Sequence, residues 1–123
     1  MEPVRVIVVD DAADARFLIG LVLGDCTDLA IVAEADGADA ALAALDDARP
    51  DVALLDARMP VVDGYQLAGM LLERRPDLRI ALLTSMVDEV VEEKALAAGA
   101  HACFSKAEMD GLGERVVALA RGS

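Results

Sequence analysis

The sequence predicts a doubly wound α/β domain, a mostly parallel sheet with helices on both faces. Short apolar runs alternate with segments of helix length five times along the chain. The third run, Val52-Ala53-Leu54-Leu55, has no polar alternation, which suits a parallel strand covered on both sides. The punctuation falls between the runs, at Asp36-Gly37, Arg49-Pro50-Asp51, Arg75-Pro76-Asp77 and Ala98-Gly99, where helices should start or stop. Parallel neighbours need right-handed helical crossovers, so strands and helices that alternate in this way close into such a sheet.

Each element has its own warrant. Val4–Val9 reads as the first strand and Ala13–Leu23 as the helix after it. Within that helix Phe17-Leu18-Ile19-Gly20-Leu21-Val22-Leu23 is apolar around more of its circumference than one buried stripe requires. Either the helix is deeply packed or part of that surface faces a partner. Leu29–Ala35 is the second strand, followed by an alanine-rich helix over Ala38–Ala48. Val52–Leu55 leads through a loop to a helix over Gly64–Arg74. Arg79–Leu83 with Val87–Ala98, and Ala102–Ser105 with Met109–Arg121, complete the fourth and fifth units.

Composition bounds the function. A chain of 123 residues, 56% hydrophobic and only 2% aromatic, is expected to fold as one domain over residues 1–123 with a core of Ala, Val and Leu. The formal net charge of −12, from 23 acidic and 11 basic residues, leaves no basic stripe for direct nucleic-acid binding and permits a cation site. The N-terminus lacks the apolar core of a signal peptide, and no run approaches the roughly 18 apolar residues of a membrane span, so a soluble cytoplasmic chain is expected. Cys26 and Cys103 lack CxxC spacing and His101 is the sole histidine, which argues against zinc and for buried apolar thiols.

In a doubly wound sheet, ligands bind beyond the carboxyl ends of the strands. The polar residues there are Asp10 and Asp11 after the first strand, Asp56 after the third, Thr84 and Ser85 after the fourth and Lys106 after the fifth; the second strand offers no clear member. Each has a plain structural reading. The aspartates could cap a helix or form a turn, Thr84 or Ser85 could be an N-cap, and Lys106 could be a solvated surface lysine. Their convergence on one sheet edge favours chemistry instead. Clustered carboxylates repel by about 4 kcal/mol per pair at ~4 Å and an effective dielectric near 20, so they call for a cation or a shifted pKa. All-oxygen ligands favour Mg²⁺, and Lys106 with Thr84 beside that charge suits a phosphoryl group that Asp56 could accept as nucleophile.

The stretches VVDD, LLDARMPVVDG, LLTS and AGAHACFSKA resemble, in order and spacing, the motifs of bacterial two-component response-regulator receiver domains across essentially the whole chain. The resemblance implies a flavodoxin-like (βα)5 sandwich with a parallel sheet of order 2-1-3-4-5. It implies a Mg²⁺ site formed by Asp10, Asp11, Asp56 and the backbone carbonyl of Arg58, with Asp56 as phosphoacceptor. Thr84 resembles the switch hydroxyl and Lys106 the lysine that pairs with the phosphoryl group. Met59-Pro60 and Asp63-Gly64 resemble the family's loop signature beside the acceptor.

The sequence departs from the family pattern in places. Cys103 stands where an aromatic switch residue is usual, Ala107 replaces the common proline, and Arg58 and Met86 occupy variable positions that gate water. Phe104 cannot replace the missing aromatic without a register change, because successive strand side chains face opposite ways. The implied partners are a sensor histidine kinase or phosphotransfer protein, docking on the first helix, and a second copy of the chain. No external reaction is implied, only self-catalysed phosphorylation and dephosphorylation of the aspartate, with an output controlled through the fourth helix, fifth strand and fifth helix. With no output module after Arg121, the expectation is a stand-alone receiver or the receiver part of a longer DNA-binding regulator. A haloacid-dehalogenase-type phosphohydrolase would need an acid two positions after Asp56, where Arg58 stands. A non-phosphorylated interaction module would leave Asp10, Asp11, Asp56, Thr84 and Lys106 without a use.

Overall fold

Among the described residues five strands form in the order in which their apolar runs occur. The computed structural model describes residues 2–122; Met1 and Ser123, the ends of the expected 1–123 domain, lie outside the described residues. The strands are β1 (Val4–Val9), β2 (Leu29–Ala35), β3 (Val52–Asp56), β4 (Arg79–Thr84) and β5 (Ala102–Ser105). The helices are α1 (Ala13–Gly24), α2 (Ala38–Ala48), α3 (Gly64–Arg74), α4 (Glu89–Ala97) and α5 (Leu112–Ala120). The sheet is parallel throughout and ordered β2-β1-β3-β4-β5, as the resemblance implied.

Strand periodicity divides the core in two. Ile7, Val9, Ala53, Leu55, Ile80 and Leu82 point toward α2, α3 and α4. Their sequence neighbours Val6, Val8, Val52, Leu54, Ala81 and Leu83 point toward α1 and α5. Every residue of β3 is buried, and each of its leucines contributes about 1.5–3 kcal/mol relative to exposure. Asp56 therefore rides on the end of a strand that is fixed on both faces. On β5 the same parity places Cys103 with the α4 layer and Phe104 with the α5 layer.

Several expectations need correction. Helix α4 begins at Glu89, not Val87, because Asp88 caps it: its Oδ1 accepts the Val91 N–H at 2.9 Å. It ends at Ala97. Helix α5 spans Leu112–Ala120, shorter at both ends than Met109–Arg121, and Gly111 in a left-handed conformation (φ 77°) precedes it. Strands β3 and β4 extend one residue further, so Asp56 and Thr84 are the last ladder residues, paired with Leu83 and Ser105. Cys26 and Cys103 are free but half-buried, not fully buried.

In α1 only Ile19 and Leu23 are buried, while Phe17 is 69% exposed and Leu18 and Leu21 are exposed beside it. That excludes the deeply packed alternative for this helix. Among the described residues no helix is long and apolar enough to cross a membrane.

Candidate functional site

The loop after β1 is shaped by its own carboxylate. Asp10 is buried; its N–H donates to the Ala35 carbonyl at 3.1 Å, and its Oδ1 accepts the Ala12 N–H at 2.9 Å. This local bond turns the chain, so Asp10 does not cap α1, whose N-cap position is Ala12. The Arg16 guanidinium donates to the Asp10 carbonyl at 2.6 Å and lies 3.9 Å from Glu34, tying the turn to β2. Asp11, next in the chain, is exposed.

Asp56 is buried, and its Oδ1 accepts the Arg58 N–H at 3.3 Å. Asp10, Asp11 and Asp56 each present a carboxylate oxygen within 4.8 Å of the others. Lys106 reaches this group from the end of β5, its Nζ lying 3.1 Å from Asp56 Oδ1 and 3.2 Å from Asp10 Oδ2. The surface-lysine reading of Lys106 thus fails. Its N–H donates to the Thr84 carbonyl at 2.7 Å, which holds the base of Lys106 to the end of β4, where Thr84 is itself buried. Ser85 is exposed, and the cap of α4 is Asp88, so the helix-cap reading of Thr84 and Ser85 fails too.

The electrostatics are unequal. Burial pushes the Asp56 carboxyl above its ordinary value; the Lys106 hydrogen bond opposes that shift and the Asp10 charge reinforces it. Burial also opposes the charged form of Lys106, but its bonds and attraction to Asp56, and then to Asp10, outweigh it and raise the ammonium's pKa. One ammonium stays charged among three carboxylates that it cannot neutralise. That imbalance, with hard oxygen donors only, fits a divalent cation such as Mg²⁺.

The β3–α3 loop is held by three devices. Asp63 caps α3 in a reciprocal box: its Oδ1 accepts the Gln66 N–H at 2.8 Å while its own N–H donates to Gln66 Oε1 at 3.0 Å. The Gly64 N–H donates to the Ala57 carbonyl at 3.0 Å, and a Cβ at Gly64 would sit 2.2 Å from the Asp56 carbonyl oxygen. The glycine is therefore required by close approach to the strand that carries Asp56. Val61 adopts a left-handed conformation (φ 70°) that β-branched residues avoid, and it is 98% exposed at the loop tip. Beside the site runs a groove of about 770 Å³ whose lining includes Arg58, Met59, Tyr65, Thr84, Met86 and Lys94. Arg58 and Met86, the two positions expected to gate water, are both exposed along it.

Asp10, Asp11, Asp56, Thr84 and Lys106 thus meet at one edge, while Ser85 is exposed and Cys103 lies apart in the α4 layer of the core. The sequence reading missed Arg16, whose role depends on tertiary reach, and Gln66, which the Asp63-x-x-Gln66 spacing could have disclosed as a capping box.

The response regulator receiver domain family matches residues 6–116. The chain is 41% identical over 97 residues to the DNA-binding transcriptional activator DevR/DosR of Mycobacterium tuberculosis, covering 79% of this chain and 45% of that protein. It is 33% identical over 116 residues to the response regulator GacA of Pseudomonas viridiflava, covering 94% and 53%. The chain thus spans about half the length of these curated relatives. Among solved structures, the signal receiver domain assigned to the response regulator NarL of M. tuberculosis superposes with a TM-score of 0.90 at 31% identity, covering 100% of both chains. With the strand order and element sequence of that fold, and a family match over most of its length, this chain belongs to the response regulator receiver domains of two-component systems.

Proposed function

We propose that residues 1–123 form a single receiver that accepts a phosphoryl group on Asp56. The observation that carries this reading is the buried Asp56 carboxylate held 3.1 Å from the Lys106 ammonium inside a cluster of three carboxylates. The donor is a sensor histidine kinase or phosphotransfer protein. The Asp56 oxygen forms the new P–O bond as the donor's P–N bond breaks, and the electron pair leaves on the imidazole, which takes up a proton from solvent. Asp10, Asp11, Asp56 and the backbone carbonyl of Arg58 would hold Mg²⁺. When bound, that ion supplies the charge neutralisation that lets an anionic phosphoryl group approach three carboxylates.

Lys106 pairs with the phosphoryl oxygens and Thr84 donates its hydroxyl to one of them. Hydrolysis of the acyl phosphate ends the signal, with Arg58 and Met86 controlling water's access from the groove. The domain therefore acts on itself and turns over no external substrate. The exposed Phe17, Leu18 and Leu21 stripe of α1 is the surface for the kinase's histidine-bearing domain, with self-association of two copies as a second use. Output runs through the α4–β5–α5 surface. The named activity of the DevR/DosR relative supports control of a DNA-binding part in a longer protein, while the charge of −12 argues against direct nucleic-acid contact by this domain.

Treatment with acetyl phosphate and Mg²⁺, followed by intact-mass measurement, tests the assignment. One phosphoryl adduct is expected on the wild type and none on Asp56→Asn or after chelation of the metal. An adduct that survives either change would place the acceptor elsewhere.

A further inference from the structure

The α4-side layer of β5 carries no aromatic residue, since Cys103 is small and Phe104 packs on the other face of the sheet, 5.4 Å from the Arg115 guanidinium. The aromatic ring in that layer comes from α3. Tyr65 is half-buried and packs against the same core cluster as Cys103. Its ring lies under the Lys94 ammonium of α4, with Nζ 4.6 Å from the ring centroid. Both residues line the groove that also contains Thr84 and Met86.

The two partners have different anchors. Tyr65 directly follows Gly64, whose N–H is bonded to Ala57 and whose backbone lies against the Asp56 carbonyl. The capping box at Asp63 fixes the same turn from the other side. Tyr65 is therefore fixed to the strand that carries Asp56. Lys94 belongs to a helix that reaches the sheet through the loop leaving Thr84, and that loop includes the exposed Ser85 and Met86.

We propose that Tyr65 is the residue through which α4 reads the state of Asp56: the Lys94–Tyr65 contact spans the one element fixed to the acceptor and the one that follows Thr84. The inference rests on the proposed phosphorylation of Asp56. When Thr84 is drawn to the phosphoryl group, its loop carries α4 and Lys94 relative to a ring that stays in place. The contact differs between the two states, and only such a differential contact shifts a population. A cation–π contact at a partly exposed site biases that balance by about two- to fivefold.

Tyr65 is the only tyrosine and the chain has no tryptophan, so intrinsic emission reports on this ring alone. Beryllofluoride with Mg²⁺ is added to wild type, Lys94→Gln, Tyr65→Leu, Tyr65→Phe and Asp56→Asn. Tyrosine emission, amide shifts across residues 86–98 and the fluorine signal of bound beryllofluoride are recorded. In the wild type, emission and the α4 amides change together. In Lys94→Gln, an exposed substitution that leaves the core intact, the emission change falls at least twofold. Tyr65→Leu retains bound beryllofluoride but loses at least half of the amide response, and Tyr65→Phe, which keeps the ring, restores it. A full α4 response in both Lys94→Gln and Tyr65→Leu, with beryllofluoride bound, would overturn the role of Tyr65. Absence of wild-type binding, or equal binding by Asp56→Asn, would instead overturn the Asp56 assignment, and this inference with it.

Discussion

The charge imbalance at the strand ends makes a prediction in which removing a charge and adding a metal reverse the stability order of two variants. Each carboxylate pair at 4.8 Å or less repels by at least about 3.5 kcal/mol at an effective dielectric near 20. On the same scale Lys106 returns about 5 kcal/mol to each of Asp56 and Asp10. Asp11 is exposed, so solvent screens its share of the repulsion. For Asp56 the Coulombic contributions therefore nearly cancel, and the cost of burying its charge decides, the same cause that raises its pKa. Asp56→Asn removes that charge at constant shape. In chelator it should stabilise the fold by on the order of 1 kcal/mol, or about 3–5 °C in Tm for a domain of this size.

Mg²⁺ reverses the order. A ligand at a hundred times its Kd stabilises the fold by about 2.7 kcal/mol, and the asparagine variant, with one of three carboxylates gone, should keep only a small part of that. The sign of the pH dependence follows from the direction of the shift. A carboxyl whose folded pKa is raised contributes stability below its unfolded value, and that contribution is lost as pH rises through the folded one. The metal-free advantage of Asn should therefore be absent in acid and open as pH rises through the titration of Asp56. Thermal melts of both proteins, with chelator and with Mg²⁺, provide the assay. The reasoning fails if Asp56→Asn melts below wild type in chelator and gains as much from Mg²⁺ as wild type does.

Two further expectations follow from contacts outside the carboxylate cluster. Gly64→Ala places a Cβ 2.2 Å from the Asp56 carbonyl oxygen and 2.9 Å from the Ala57 Cα, both backbone atoms, so the loop must shift; a loss of about 2–3 kcal/mol in urea unfolding together with weakened Mg²⁺ stabilisation is expected, and an unchanged midpoint would mean that the loop yields freely. His101 is exposed, but its Nδ1 accepts the Ile80 N–H at 3.0 Å, and partial desolvation of the ring, then the Arg79 charge, hold its pKa below the ordinary value, with Glu89, Glu92 and Glu93 of α4 facing the same groove. Its contribution is complete above about pH 6.5 and is lost as pH falls from there through the folded pKa, so His101→Gln should lose less stability than wild type between neutral and mildly acidic pH, and parallel urea-midpoint profiles would count against this.

What was legible in the sequence was whatever depends on local period or on position along a strand. Val52–Leu55 without alternation reads as a strand buried on both faces, and the polar residues ending the strands then fall at one edge by topology alone. The opposite facing of Cys103 and Phe104 follows from the two-residue period and survives in the packing. Helix starts were less legible. Val87 continues the apolar pattern of α4, yet the local hydrogen bond of Asp88 begins the helix two residues later. Met109 likewise extends the apolar run of α5, but the left-handed Gly111 resets the backbone before Leu112. Arg16, Tyr65 and Lys94 carried no sequence signal, because a helical arginine, tyrosine or lysine looks alike whether or not a neighbouring element lies within its reach.

The same distinction explains how the site is built. Asp10 and Asp56 are buried at the ends of β1 and β3, strands packed on both faces, so these two carboxylates cannot relax apart to relieve repulsion. Their surplus of negative charge is thereby maintained, and a cation is the group that relieves it without moving the backbone. The elements around the site are fixed less firmly. Only Ala95 of α4 is buried, and this helix reaches the sheet through a loop with exposed Ser85 and Met86. Sparse apolar burial places α4 at the low-stability end of the fold, where motion is least opposed. A phosphoryl group on Asp56, as proposed, would thus meet a rigid strand end and a loosely held α4, and the size of the response would be set by the few contacts that bridge them. The Lys94 ammonium over the Tyr65 ring is such a contact, made between α4 and the helix that follows the loop after Asp56.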